Sequence, residues 1–359
     1  MRSAVVFTIL SAITGCIPGS GDRNMVTLTE PSWGVQFEDS TALFIGIHAV
    51  SETIAWASGT DGRVGRTTNG GLDWTVRRIP GADSLQFRDV HAFSEDLAFV
   101  LSIGSGTDSR IYKTTNGGRS WDLSFQNEDP NAFFDCFSFW DERRGFAFSD
   151  SYEGEFTLVR TLDGGRSWNR IPPALVPDAR PGEGAFAASG TCVTTGSEGR
   201  GWFVTGASGV DTRVIWTTDY GETWEEAMTP LASRTPTEGI FSIVMHDDST
   251  GAIFGGDFSR PDTVLSNLAL TSDGGASWRQ AGPVPLAGSV FGAATMGTDL
   301  PVAVYIAVAP TGTAWSQDGG KTWERIDSTA YWTVSFYNPR AGWAAGPGVI
   351  SRFRVSGLP

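Results

Sequence analysis

The sequence predicts an all-β fold, a single seven-bladed β-propeller of four-stranded antiparallel blades, on three observations. A short box ending in Trp recurs six times, a two-strand apolar element recurs seven times, and orphan strands at the two ends of the repeat region complement each other.

The first residues stand apart from the fold. "MRSAVVFTILSAITGC" has one Arg, an apolar run and small residues ending at Cys16. It reads as an export signal over 1–15, too short to span a bilayer. Ile13-Thr14-Gly15-Cys16 resembles the lipobox of bacterial lipoproteins, which implies acylation of Cys16, a lipid anchor in a membrane and a periplasmic or extracellular location. The Gly-, Pro- and polar-rich stretch that follows, 16–30, reads as a flexible tether.

The propeller is expected over 31–359. The six boxes are "TTNGGLDW" (67–74), "TTNGGRSW" (114–121), "TLDGGRSW" (161–168), "TTDYGETW" (217–224), "TSDGGASW" (271–278) and "SQDGGKTW" (316–323). Their mean spacing of about 50 residues is that of a four-stranded blade with its loops. The seven apolar elements run from "FIGIHAVSETIAWASG" to "YWTVSFYNPRAGWAAGP". The seventh is followed by "GVISRFRV" with no box, while "PSWGVQFED" at the other end has nothing before it. Pairing these two orphans closes the ring and leaves no open edge. The blades then fall at about 42–80, 85–127, 131–173, 186–229, 238–282, 288–327 and 330–355, the last completed by 31–38. Long 3.6-residue periodicity is absent, so almost no helix is expected, and 172–189 and 229–239 read as insertions.

Within each box, Asn or Asp followed by Gly is a hairpin signal, because Gly accepts positive φ and the side-chain oxygen bonds nearby N–H groups. The structural residues are Asn69, Gly70, Gly71 and Trp74; Asn116, Gly117, Gly118 and Trp121; Asp163, Gly164, Gly165 and Trp168. In the later copies they are Asp219, Gly221 and Trp224; Asp273, Gly274, Gly275 and Trp278; Asp318, Gly319, Gly320 and Trp323. These boxes resemble the Asp-box, or BNR, repeats of sialidases and of many non-enzymatic propellers. Asn69 and Asn116 replace the Asp, and Asp73 replaces the penultimate Ser or Thr. The resemblance implies boxes at the periphery, and says little of activity.

The whole-chain pattern, with "RRGFAF", "GRGWFV" and "RAGWAA" as second strands, is similar to the photosystem II assembly and stability factor family. That resemblance implies a non-enzymatic binding scaffold that assists assembly of a membrane protein complex.

The competing class is a secreted glycoside hydrolase or glycan-binding propeller. The stretch "RTTNGGLDWTVRRIP" (66–80) suggests it, because sialidases carry an Arg-Ile-Pro motif that helps to bind a substrate carboxylate. Theirs lies before the first box; here it follows the box and repeats as "NRIP" and "ERID", which reads as packing consensus. A two-propeller glucanase would need about twice the blades. A net charge of −14 disfavours nucleic acid as a partner.

Aligned, the seven innermost strands place Asp89 and Asp135 in one polar column, with His48 and His91 two residues beyond it in a second column. His48, Asp89, His91 and Asp135 thus become candidate channel residues, with the chemistry to hold a divalent metal or move protons, or to bond to each other and to water in a narrow channel. The expectation is no bound metal and no cofactor. Cys136 and Cys192 fall in an otherwise apolar column and read as small buried hydrophobes. Adjacent blades are expected to hold them beyond the roughly 4.4–6.8 Å Cα separation of a disulfide, although an oxidising compartment leaves a bridge open. Finally, Arg63, Arg66, Arg77, Arg78, Arg88 and Arg110 crowd into the first two blades and Arg143 with Arg144 into the third, as a candidate patch for a protein partner. The propeller itself is expected to be monomeric.

Overall fold

The computed structural model describes residues 28–206, 209 and 211–358. The export signal, Cys16 and most of the expected tether lie outside the described residues. The tether's last three positions do not: Leu28 is buried, and Thr29 and Glu30 already belong to the strand Thr29–Ala49.

Six antiparallel sheets carry the described strands, where the sequence predicts seven separate blades. Five have four strands each, with innermost strands Gln86–Ala92, Phe134–Phe139, Val193–Thr195, Glu238–Met245 and Gly292–Thr295. The sixth has six strands, in the order Thr333–Asn338, Ala341–Ser356, Thr29–Ala49, Ala55–Gly59, Arg63–Thr67, Thr75–Arg78. The segments expected for the first and the closing blade are therefore one hydrogen-bonded sheet. The physical reason is that Thr29–Ala49 serves both: its first half pairs with the C-terminal strand (Trp33 opposite Phe353, Val35 opposite Ser351) and its second half with Ala55–Gly59 (His48 opposite Trp56).

Both long strands turn back on themselves. Trp343 and Arg352, nine positions apart, would be about 30 Å apart in an extended strand, yet the guanidinium lies 5.1 Å from the indole centroid. The reversal falls at Gly348, with φ +71°. Phe37 and Phe44 likewise come within 5.9 Å across the turn at Thr41, whose N–H and hydroxyl both donate to Asp39.

Helix among the described residues is limited to three single 3-10 turns. The core lies between neighbouring sheets, filled by fully buried aromatic side chains such as Trp56, Trp202, Trp343 and Phe146. The second insertion is shorter than expected, because Glu238 already opens an innermost strand.

Cys136 and Cys192 form a disulfide with a Cα separation of 6.2 Å, which corrects the expectation of two free thiols. Both are fully buried, Cys136 on one innermost strand and Cys192 directly before the next, Val193–Thr195, where the chain segments converge toward the axis and approach more closely than the outer strands do.

Candidate functional site at the axis

The boxes build the outer hairpins. In the third, Gly164 and Gly165 both have φ +75°, Gly165 N–H donates to Thr161 Oγ1 at 2.8 Å, and Asp163 Oδ1 accepts from the N–H groups of Arg166 and Ser167 at 3.0 Å. The donors hold the Asp163 carboxyl at about 2, led by the Ser167 backbone and hydroxyl. In the first box the polarity of one bond is reversed: Asn69 Nδ2 donates to Asp73 Oδ2 at 2.9 Å, where Ser167 donates to Asp163. The "RRIP" arginines sit on the outer strand Thr75–Arg78, both exposed, with Ile79 buried beneath. This arrangement fits packing and keeps them off the axis.

At the axis the innermost strands surround a cavity of about 280 Å³ lined by His48, Asp89 and His91 together with Thr191, Thr195 and Ser335. These side chains join one sheet to the next. His48 Nδ1 accepts from Ala92 N–H at 2.7 Å, Ser335 Oγ from Ala49 N–H at 3.0 Å, and Asp89 Oδ2 from Phe137 N–H at 2.9 Å. Nδ1 can accept only when unprotonated, and burial lowers the His48 pKa to about 4. The His91 ring lies 4.6 Å from that of His48 and is also pushed down, first by burial and then by His48. Asp89 is raised to about 8 by burial, with the Phe137 and Val90 N–H groups opposing. Among the described residues, no group of three or more His, Cys, Asp or Glu is placed to hold a metal ion.

Asp135 does not join this set. It lines a second cavity of about 380 Å³ that sequence reasoning did not anticipate. The two cavities are separated by a strap, residues 185–190, from the first insertion. Arg88 donates to Ala187 O at 2.9 Å, Ser189 Oγ to Phe291 O at 2.6 Å, and Thr333 Oγ1 to Ser189 O at 3.1 Å, so three other inner strands grip the strap. Beyond it Phe186, Phe241, Phe291 and Trp332 form an aromatic wall. Asp150 accepts from Ala185 N–H at 2.8 Å and faces Asp135. Burial, then the Asp150 charge, holds Asp135 well above the carboxylate range, and burial raises Asp150 to about 6. A signal was present: Arg88, Phe241, Phe291 and Trp332 all occupy the position just before the polar column that contains Asp89.

The arginine candidates do not form one patch. Arg63 is 6% exposed and bonded to Thr41 and to the Asp61 and Asp39 carboxylates, so it is an internal staple. Arg66 lies over the Trp56 ring at 5.5 Å and donates to Glu95 O. Arg78 stands 4.0 and 3.8 Å from Asp61 and Asp83. Arg110 donates to Tyr112 Oη at 3.4 Å. Arg143 is exposed, while Arg144 pairs with Asp141 and covers the Tyr220 ring at 3.6 Å. Arg88 alone reaches the axial recess.

Ring, boxes and axial cavities together define an Asp-box β-propeller. The family model described as BNR/Asp-box repeat matches residues 314–325. None of the curated proteins matches the chain. Among solved structures it is similar to YCF48 bound to D1 peptide, with a TM-score of 0.61 and 16% identity over 93% of this chain and 99% of that one. It is similar also to YCF48 from Cyanidioschyzon merolae (TM-score 0.64, 16% identity, 90% of this chain and 99% of that one). The GH74 xyloglucanase from Xanthomonas campestris gives a TM-score of 0.61 at 15% identity, covering 89% of this chain but 53% of that one. At such identities the likeness is one of fold.

Proposed function

We propose that this chain is a non-enzymatic, exported and lipid-anchored propeller scaffold that binds a protein partner and assists assembly or stability of a membrane complex, with a photosynthetic complex as one candidate. The observation that carries the reading is the strapped axial face: the strap is bonded to neighbouring inner segments and lines an aromatic recess. Such a surface suits capture of an apolar segment. The coextensive likeness to a propeller bound to a D1 peptide supports the same reading. The channel histidines, held neutral and engaged with neighbouring strands, serve cohesion between sheets.

One observation favours a glycan hydrolase instead, the Asp135 and Asp150 pair beside aromatic rings. Affinity capture with the full chain from native membranes separates the two. A scaffold recovers a membrane complex and releases no reducing sugar or sialic acid from glycans, and sugar release abolished by Asp150→Asn would overturn it. Membrane fractionation of Cys16→Ser tests the anchor, which requires the variant to become soluble.

A further inference from the structure

The aromatic recess has a definite polarity. Phe186 stacks on Phe241 with centroids 4.0 Å apart and planes 3° from parallel, and Phe241 continues the stack to Phe291 at 5.7 Å. Trp332 stands edge-on to Phe291 at 5.1 Å, and Phe258, 46% exposed, marks the rim. A wall of this kind removes an apolar or aromatic group from water.

The polar groups are as informative as the rings. Asp135 is 1% exposed and its carboxyl bonds that of Asp150, yet its Oδ2 meets no N–H or hydroxyl donor among the described residues, and Arg88 Nε, also buried, meets no acceptor among them. Buried polar atoms are nearly always satisfied, so one acceptor and one donor in the same recess ask for a ligand that supplies the converse pair. Charge narrows the choice further. An anion would meet the Asp150 carboxylate, and a cation would meet Arg88. A neutral group with one acceptor and one N–H donor, an amide, satisfies both atoms.

We propose that the recess binds an uncharged apolar or aromatic residue of an extended peptide, its ring or branched chain on the Phe wall and a neighbouring amide bridging Arg88 Nε and Asp135 Oδ2. This deepens the scaffold reading by naming the segment chemistry that the axial face takes.

Calorimetry on the full chain with N-acetylphenylalaninamide, N-acetylphenylalanine and phenylalaninamide tests it. The neutral amide should bind at least tenfold more tightly than either charged analogue, and Trp332→Ala should weaken it at least tenfold while melting like wild type. Asp150→Asn should relax the discrimination against N-acetylphenylalanine, a change that a purely structural role would not produce. Equal binding of the three probes, absence of binding, or indifference to Trp332→Ala overturns the proposal. A capped tripeptide with central Phe should exceed the single-residue amide; equality would overturn the peptide assignment in favour of a free small amide. Partner recovery from membranes that is unchanged by Trp332→Ala would sink the recess and spare the scaffold, whereas probe binding without any recovered partner would do the reverse.

Discussion

At the scale of single residues, Asp89 and His48 act on stability in opposite directions. Asp89 is raised to about 8 against an ordinary 3.8, so the folded chain keeps a proton that the unfolded chain releases. Its contribution is complete below about pH 4 and is lost as pH rises toward 8. His48 is lowered from 6.5 to about 4, so its contribution grows as pH rises across that interval. Between pH 4 and 6.5 the two offset each other. Between pH 6.5 and 8 the acid acts without that opposition, costing at most about 2 kcal/mol, since one unit is worth about 1.4 kcal/mol. Wild-type Tm should therefore fall by a few degrees over that window, and Asp89→Asn, which still offers an oxygen to Phe137 N–H, should fall less steeply. Asp135 is also raised and keeps some slope in the variant. Parallel Tm profiles would rule Asp89 out as the source. The polar columns themselves were readable from the alignment of inner strands. That they bond across sheets was not, because the register between chain segments about 45 residues apart is set by packing.

At the scale of the element, the box was legible because its hydrogen bonds close within five residues. Thr67 to Asp73 is enough to see that Asn69 and Asp73 form a complementary pair. Asn69→Asp sets two carboxylates against each other and should cost about 1–2 kcal/mol in chemical denaturation. Adding Asp73→Ser recreates the arrangement of Asp163 and Ser167 and should recover most of that loss. Additive losses in the double-mutant cycle would show that the two side chains do not couple. The strap was not legible in the same way: residues 185–190 read as a Pro-rich insertion, and their partners Arg88, Phe291 and Thr333 lie about 100 residues or more away.

At the scale of the whole molecule, the ring and its closure followed from counting repeats, whereas the fusion of first and closing blades into one sheet depends on the continuity of a single strand. The disulfide was missed for a related reason, since convergence toward the axis is a property of the assembled ring. Cys136 and Cys192 close a loop of 56 residues, for which chain entropy gives about 4 kcal/mol. Cys136→Ser/Cys192→Ser should lose about that much, and denatured, unreduced protein should show no thiol from either position. Two titratable thiols would mean the bridge does not form.

The six-stranded sheet also sets an order in time. Residues 29–38 are synthesised more than 300 positions before the residues they pair with, 349–356. Until then residues 29–38 lack their partner strand, and every intermediate carries an open flank on each side of a partial ring. Closure of the ring waits for that pairing, and loss of residues 349–356 would leave residues 29–38 unpaired as well.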